Sequence, residues 1–295
     1  MQIDAHTQFA ENWDSRFIEM LKATGASKPI LTTYPTPFSY RHGQVQYAQN
    51  HGIQKLILNR IRKDLTTIYR AVPVEDTSKP QPCQFIAAGQ IFTLGQFCEE
   101  VQYDPNLYFS GEEISLSARA FTHGYECFCP NEDLLWHFYQ HDMPVHSVDH
   151  PQNQHLASID RLDTLFLGDH EELGRYGFGQ HATIQEFEKF SGIDFNASKN
   201  RQPNPVHYQE TIRLNLHGIE DRDDYDLWIF TLRDNDDKEI YRQDLKGQDI
   251  PAFNKPEIIL NVELTDAPVS YGLWPRSKER GFHPSRFHDI PLPRA

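Results

Sequence analysis

The chain has 295 residues, 38% of them hydrophobic, so it can bury a sizeable core in one large domain or two of moderate size. Its formal net charge of -14 argues against the broad basic surface of a nucleic-acid-binding protein and against adsorption to anionic membranes. The N-terminus has no apolar signal region, and the four cysteines show no repeated paired spacing. We therefore expect a cytoplasmic protein with reduced thiols.

The first residues carry a candidate metal motif. Gln2 to His6 is typical of a strand that ends in a turn, and Asp4 and His6 lie on the same side of an extended backbone. Both residue types bind divalent metals, although such a tripeptide also occurs by chance. Apolar residues then recur at helical spacing from Asn12 to Lys22, which predicts an amphipathic helix.

A run of small residues follows a strand-rich region. Short strand-like runs alternate with polar turns from His42 to Pro82, and no catalytic cluster falls among them. Ala87, Ala88 and Gly89 then interrupt an apolar segment. They allow a ligand to approach the backbone closely, and tight core packing explains them nearly as well.

The stretch from Asn106 to Pro130 joins an acidic pair to a helix. Glu112 and Glu113 follow Gly111 and are predicted in the first helical turn, and Gly124 is predicted to end the helix. The helix dipole favours carboxylates at this end, so on residue types alone the two glutamates serve only to start the helix. Beyond the helix, alternation of cysteine and phenylalanine at positions 127–129 favours a buried strand over a metal site.

Histidines accumulate after Pro130. His137 and His141 are four residues apart and could share a helix face, and their spacing could suggest zinc. We favour solvated histidines throughout this region except for His137, which follows Leu134, Leu135 and Trp136 and is expected to point from a buried element into a cleft. Alternating apolar residues after Pro203 predict a second, all-β unit, which gives domains at 1–200 and 201–295.

Several segments, taken together, resemble a known family. In chain order they are QIDAHTQFAENWD, FIAAGQIFTLG, VQYDPNLYFSGEEISLSARAFTHGYECFCP, LLWHFY and YGFGQHATIQEFEKFSGIDF. They resemble the UDP-GlcNAc-dependent polypeptide N-acetylglucosaminyltransferases related to the cytoplasmic enzyme that modifies hydroxyproline on Skp1. The polypeptide GalNAc transferases share the pattern more distantly. The resemblance implies an α/β, GT-A-like glycosyltransferase domain followed by the small all-β domain.

The resemblance also implies a function. It predicts transfer of GlcNAc, or a related HexNAc, from a UDP-sugar to a hydroxyl acceptor, a protein, with retention of configuration. Asp4, His6 and His137 would hold a divalent metal, manganese, which offsets diphosphate charge. Glu112 and Glu113 would be the catalytic carboxylates, Glu112 accepting hydrogen bonds from donor-sugar hydroxyls and Glu113 lying near the acceptor.

The remaining matched residues would bind substrate: Ala88, Gly89, Gly111, Trp13 and Asp14. Arg119 matches the same helix and is expected to be structural. A GT-A fold also places about a hundred residues of nucleotide-binding structure before the Asp-x-His motif. We therefore expect the C-terminal portion of such a domain, with one unpaired side on the strand ending at Asp4 and self-association through the exposed sheet edge.

Two other classes of function are compatible with the sequence. Asp4, His6 and His137 could form a two-His, one-carboxylate iron site of an oxygenase, although such a site does not need the Gly-Glu-Glu segment. Alternatively, the chain is a non-catalytic remnant that binds glycan or protein.

Overall fold

The computed structural model describes residues 1–41, 44–48, 52–108, 111–139, 152–200, 205–215, 225–246, 257–266, 268–278, 281–282 and 286–289. The chain divides into two compact units, one of Met1–Tyr139 and His150–Asn200, the other of Gln140–Asp149 and Arg201–Ala295. Within these described ranges, no helix is both long and apolar enough to cross a membrane.

The first unit contains all the described helices. They are α1 (Trp13–Ala23), α2 (Phe97–Glu100), α3 (Glu112–Thr122), α4 (Gln152–Phe166), a 3₁₀ helix (His170–Tyr176), α5 (Ile184–Ser191) and α6 (Phe195–Lys199). The helix predicted from Asn12 to Lys22 is confirmed as α1, which buries Phe17, Met20 and Leu21. The helix predicted to begin with the acidic pair is confirmed as α3, and Gly124 follows it with φ 82°.

Two sheets and a hairpin complete this unit. Their strands are β1 (Gln2–Ile3), β2 (Thr7–Phe9), β3 (Pro29–Thr32), β4 (Thr36–Arg41), β5 (Gln44–Tyr47), β6 (Gln54–Ile61), β7 (Thr67–Pro73), β8 (Gln81–Pro82), β9 (Gln90–Thr93), β10 (Glu126–Cys129) and β11 (Leu135–Phe138). One sheet has the order β1-β9-β3-β10-β8 and the other β2-β11-β4-β5, while β6 pairs with β7. Only β3–β10 and β11–β4 are parallel pairs among the described strands.

The first strand lies at one end of its sheet. β1 pairs antiparallel with β9, with Gln2 opposite Ile91 and Ile3 opposite Gln90. This pairing carries the chain from Gln2 directly to the turn that contains Asp4 and His6. The predicted buried strand with alternating cysteines is confirmed as β10, whose Cys129 is buried.

His137 lies on a buried strand, so it does not share a helix face with His141, which its spacing alone could have suggested. His137 lies on β11, between β2 and β4, and is opposite Thr7 and Pro37. A strand between two neighbours satisfies its backbone groups through the ladder, and this long-range pairing overrides the local i,i+4 spacing. His141 lies outside the described residues.

The second unit is described only as strands. They are β12 (Pro205–Asn215), β13 (Leu227–Arg233), β14 (Glu239–Lys246), β15 (Glu257–Asp266), β16 (Ser270–Ser277), β17 (Gly281–Phe282) and β18 (Arg286–Asp289). β12 pairs with β15, and a second sheet runs β14-β13-β16-β17, with β18 also on β16. Trp228 and Phe230 of β13 are fully buried at the centre of this unit's hydrophobic cluster.

Helix α3 is the central element of the first unit. Ile114 and Ala118 pack in one hydrophobic cluster with α4, α5 and α6, while Leu116 and Ala120 pack in another with β3 and β9. A helix that is apolar on opposite faces is a core helix. Because α3 packs against helices in one cluster and against strands in the other, the mixed α/β class predicted from the sequence is confirmed.

Arg119 attaches the C-terminal half of α3 to the chain around it. Its side chain is completely buried, and its guanidinium donates to the carbonyl oxygens of Gln102 at 2.7 Å, Arg175 at 3.1 Å and Gly177 at 3.3 Å. Three backbone carbonyls from two segments thus depend on one side chain, as expected for a structural arginine.

Replacing Arg119 by methionine should therefore destabilise the first unit. Arg119→Met leaves the carbonyl oxygens of Gln102, Arg175 and Gly177 without this donor, and we expect the free energy of unfolding to fall by about 1 to 3 kcal/mol. Arg16→Met is the matched control: Arg16 pairs with Glu132 at an exposed position, so its loss should cost about 0 to 1 kcal/mol. Urea denaturation read by hydrogen exchange of α3 amides measures both. Equal losses would contradict the role of Arg119.

Candidate active site

An irregular segment at 86–88 is held by side chains from other parts of the fold. Ile86 N donates to Ser117 Oγ at 2.9 Å, Ala87 N to Thr32 Oγ1 at 2.8 Å, and Ala88 N to Glu113 Oε1 at 2.8 Å. Each of three consecutive amides therefore has a side-chain acceptor, two from α3 and one from β3. Since buried amides need partners, these bonds fix the segment without a strand ladder.

The first strand contributes to the same place. Gln2 Nε2 donates to Ala88 O at 2.8 Å, so both peptide groups of Ala88 are bound by side chains. A Cβ added to Gly89 would lie 3.1 Å from Asp4 Oδ2 and 3.6 Å from Pro35 Cδ. The Asp4 carboxylate is therefore packed against the backbone of Gly89, and a Cβ there would require it to shift by a few tenths of an ångström.

The acidic pair begins α3 at Gly111. Gly111 has φ 95°, and a Cβ there would lie 2.5 Å from Leu162 Cδ1, so both the backbone and the packing require glycine. Glu112 and Glu113 are half-buried in the first turn, where the helix dipole favours carboxylates. The dipole accounts for the position of the pair. The hydrogen bond from Ala88 N gives Glu113 a further role, which is to hold the segment 86–89, called the wall below.

The predicted metal ligands lie on adjacent pieces of backbone. His6 has φ 62°, and its carbonyl accepts a hydrogen bond from Phe138 N at 3.2 Å. His137 is buried on the neighbouring strand, with its ring 4.4 Å from that of Tyr139. In the described part of the chain, however, no three His, Cys, Asp or Glu side chains are grouped so that they could hold a metal ion.

Burial and the neighbouring carboxylates raise the proton affinity of Glu113. Burial, opposed by the hydrogen bond from Ala88 N and reinforced by the charges of Glu112 and Asp4, raises the pKa of Glu113 to about 7. Asp4, which is distant in sequence, lies near Glu113, because it packs against Gly89, the residue that follows the Ala88 amide bound by Glu113.

Tyrosines surround the carboxylates, and the sequence reasoning missed them. Burial first, and then the nearby carboxylates, raise the pKa of Tyr34 and Tyr69, and the pKa of Tyr103 to about 12. Tyr103 hydrogen-bonds Gln2, and Tyr139 donates to Pro35 O at 2.9 Å. These residues come from separate segments and have no common spacing, so no local pattern identifies them.

Two predicted substrate-binding residues lie elsewhere. Trp13 packs against Phe9 and Phe17, with ring centroids 4.8 and 6.3 Å apart. Asp14 is exposed and accepts a hydrogen bond from Ser15 N at 2.8 Å. Among the contacts of the described residues, none joins Trp13 or Asp14 to the acidic pair. By contrast, Asp4, Ala88, Gly89 and Glu113 are brought together.

Comparisons with known proteins give one family match and similarity to solved structures. A sequence model of the family described as "Glycosyltransferase (GlcNAc)" matches residues 1–197. No curated protein sequence gives a significant match. Among solved structures, a crystal structure of GalNAc-T7 with UDP, GalNAc and Mn²⁺ is 12% identical, with a TM-score of 0.46. The match covers 99% of this chain and 55% of that one, so the chain spans about half the length of GalNAc-T7.

The pKa of Glu113 predicts a pH-dependent stability. Because it is raised from 4.5 to about 7, the folded state binds this proton more tightly than the unfolded state. The resulting stabilisation is present below pH 4.5 and is lost as the pH rises through 7. We expect Glu113→Gln to match the parent near pH 4.5 and to exceed its unfolding free energy at pH 8 by about 1 to 3 kcal/mol.

Chemical denaturation across this pH range checks the difference. Glu11→Gln, at an exposed position, is the matched control for the loss of one carboxylate. A Glu113→Gln profile parallel to that of the parent would refute the burial of a charge at this site.

Proposed function

The chain belongs to the GlcNAc glycosyltransferase family, and from this premise we propose that it transfers GlcNAc, or a related N-acetylhexosamine, from a UDP-sugar to a hydroxyl group on a protein. Retention of anomeric configuration is part of the proposal. So is a relationship to the branch that modifies hydroxyproline on Skp1, which is supported by the order of the five motifs.

One observation carries the proposal beyond the family match. Three of the motifs that carry the family resemblance contain the residues Asp4, Ala88–Gly89 and Glu112–Glu113. Asp4 Oδ2 lies against Gly89, and Glu113 Oε1 accepts a hydrogen bond from Ala88 N at 2.8 Å. A glycine beside carboxylates provides room and acceptors for a polyol, because each sugar hydroxyl needs a hydrogen-bond partner when it is buried.

A divalent cation, manganese by preference, fits the donor chemistry of Asp4, His6 and His137. Such an ion would offset charge on the diphosphate leaving group. The described side chains are not grouped as a three-ligand set, so their convergence on a cation belongs to the proposal.

The remaining residues bind and orient the donor sugar and the acceptor. We assign to Glu112 the acceptance of hydrogen bonds from donor-sugar hydroxyls. Glu113 is held by Ala88 N, so its main contribution is to fix the wall beside the sugar and to face the acceptor with its remaining lone pairs. Gly89 keeps that wall free of side-chain atoms. Positioning of this kind can supply a large part of a transfer reaction's rate enhancement.

The role of Glu112 predicts a kinetic effect. Glu112→Gln weakens acceptance of hydrogen bonds from the sugar, and we expect kcat/KM for UDP-GlcNAc to fall by a factor equivalent to roughly 1.5 to 3 kcal/mol. The thermal midpoint should stay within about 2 °C of the parent, since glutamine keeps the size and shape of this half-buried side chain. UDP release from UDP-GlcNAc, with and without acceptor protein, is the measurement.

Glu99→Gln is the matched control, because Glu99 is exposed on α2 and outside the site. A parallel loss of stability and activity in Glu112→Gln would support a purely helix-starting role for Glu112. Donor binding without any turnover by the parent protein would favour the non-catalytic binding module.

The metal proposal has a test that does not depend on activity. A ligand at one hundred times its Kd stabilises the folded state by about 2.7 kcal/mol. This corresponds to roughly 5 to 10 °C in the thermal midpoint for a domain of 150 to 250 residues. We expect Mn²⁺ to raise the midpoint of the parent and chelation to reverse it, whereas Asp4→Asn and His137→Ala should abolish the shift.

Asp160→Asn, at an exposed position of α4, is the control for loss of one carboxylate. An undiminished Mn²⁺ shift in Asp4→Asn would remove Asp4 from the ligand set.

A further inference from the structure

A cavity of about 360 Å³ opens beside the C-terminal half of α3. Ser117 and Phe121 of α3 line it, together with residues of β10 and α5, whereas Asp4, Glu112 and Glu113 do not. Small-molecule sites in proteins have volumes of about 300 to 1,000 Å³, so this cavity has the size for a small ligand.

Aromatic rings form one side of the cavity. Phe121 and Phe190 are stacked, with centroids 5.1 Å apart and an interplanar angle of 21°. Phe190 is nonetheless 45% exposed. The cavity therefore presents a flat apolar surface that another ring can cover, which would remove apolar area from water.

The thiols in the wall are neutral. Cys83 and Cys127 both line the cavity. Burial, and then the neighbouring Cys129, raise the pKa of Cys127 to about 12. A hydrogen bond with Cys129, followed by burial, raises the pKa of Cys83. These sulfur atoms therefore act as small apolar groups near neutral pH and bring no charge to the cavity.

The fixed charge at the cavity is negative. Glu126 lines it and is exposed, and the described residues give this carboxylate no ion-pair partner. Lys28 is close in the fold, since its carbonyl accepts from Glu126 N, but its ammonium is bound to Glu100 at 2.7 Å and lies over the Tyr125 ring. The lining includes no lysine or arginine.

We propose that this cavity binds an arylalkylammonium compound, with its ring against Phe121 and Phe190 and its ammonium group at Glu126. An engineered cavity of about 150 Å³ holds benzene, so a cavity roughly twice that size accepts a two-ring group such as indole. The single carboxylate selects a cation, because an anion would meet an unpaired negative charge. The site is separate from the proposed transfer reaction and does not depend on it.

Three compounds with the same ring and different charge test the proposal: tryptamine, tryptophol and indole-3-acetate. Equilibrium dialysis at pH 8 keeps imidazole side chains largely neutral. We expect saturable binding of tryptamine, about two- to fivefold weaker binding of tryptophol, as for loss of an exposed ion pair, and weaker binding still of indole-3-acetate.

Matched variants separate the ring contact from the charge contact. Glu126→Gln should reduce tryptamine to the affinity of tryptophol, whereas Glu11→Gln, which removes a carboxylate outside the lining, should leave the order unchanged. Ala182→Phe places a ring inside the cavity and should abolish binding of all three compounds.

Thermal unfolding gives a second measurement in the parent protein itself. Tryptamine at one hundred times its Kd should raise the thermal midpoint of the parent by roughly 5 to 10 °C, whereas it should leave the midpoint of Ala182→Phe unchanged. The proposal is overturned if the compounds show no saturable binding, if tryptamine and tryptophol bind equally, or if tryptamine stabilises Ala182→Phe as much as the parent.

Discussion

The hydrogen bond from Ala88 N to Glu113 Oε1 is the contact on which the candidate site depends. It attaches the first turn of α3 to a segment that has no strand ladder of its own. One helical turn further along, Ser117 Oγ accepts from Ile86 N and donates to Glu113 O at 2.6 Å. The wall and the acidic pair are therefore one assembly, and each has its place only while α3 is packed in the core.

The two ends of α3 carry opposite charges. Its first turn carries half-buried carboxylates that repel one another and Asp4, which is unfavourable unless a proton or cation is shared. Its last turns carry Arg119, whose buried charge is compensated by three carbonyl oxygens. We see the second arrangement as support for the first, since a firmly attached helix can hold carboxylates in a place that they would otherwise leave.

Local sequence patterns predicted where helices begin and end better than they predicted which elements pack against each other. The helices beginning at Trp13 and Glu112 follow from apolar spacing and, for α3, from its flanking glycines, which act within a few residues. The strand position of His137 does not, because β4 lies about a hundred positions away and the pairing is decided by tertiary packing. The bonds to the 86–88 amides also join distant residues, and the acceptors Thr32, Glu113 and Ser117 follow no shared motif.

Holding three successive amides by side chains has an evolutionary consequence. In a sheet, the backbone of the neighbouring strand fixes an amide, and a point substitution leaves that acceptor in place. At 86–88 the acceptors are encoded by Thr32, Glu113 and Ser117, so exchanging one of them re-aims a peptide group without altering the wall's own sequence. Relatives of this chain can therefore diverge in the shape of the wall through positions that never touch a ligand, and an alignment restricted to contact residues would miss the change.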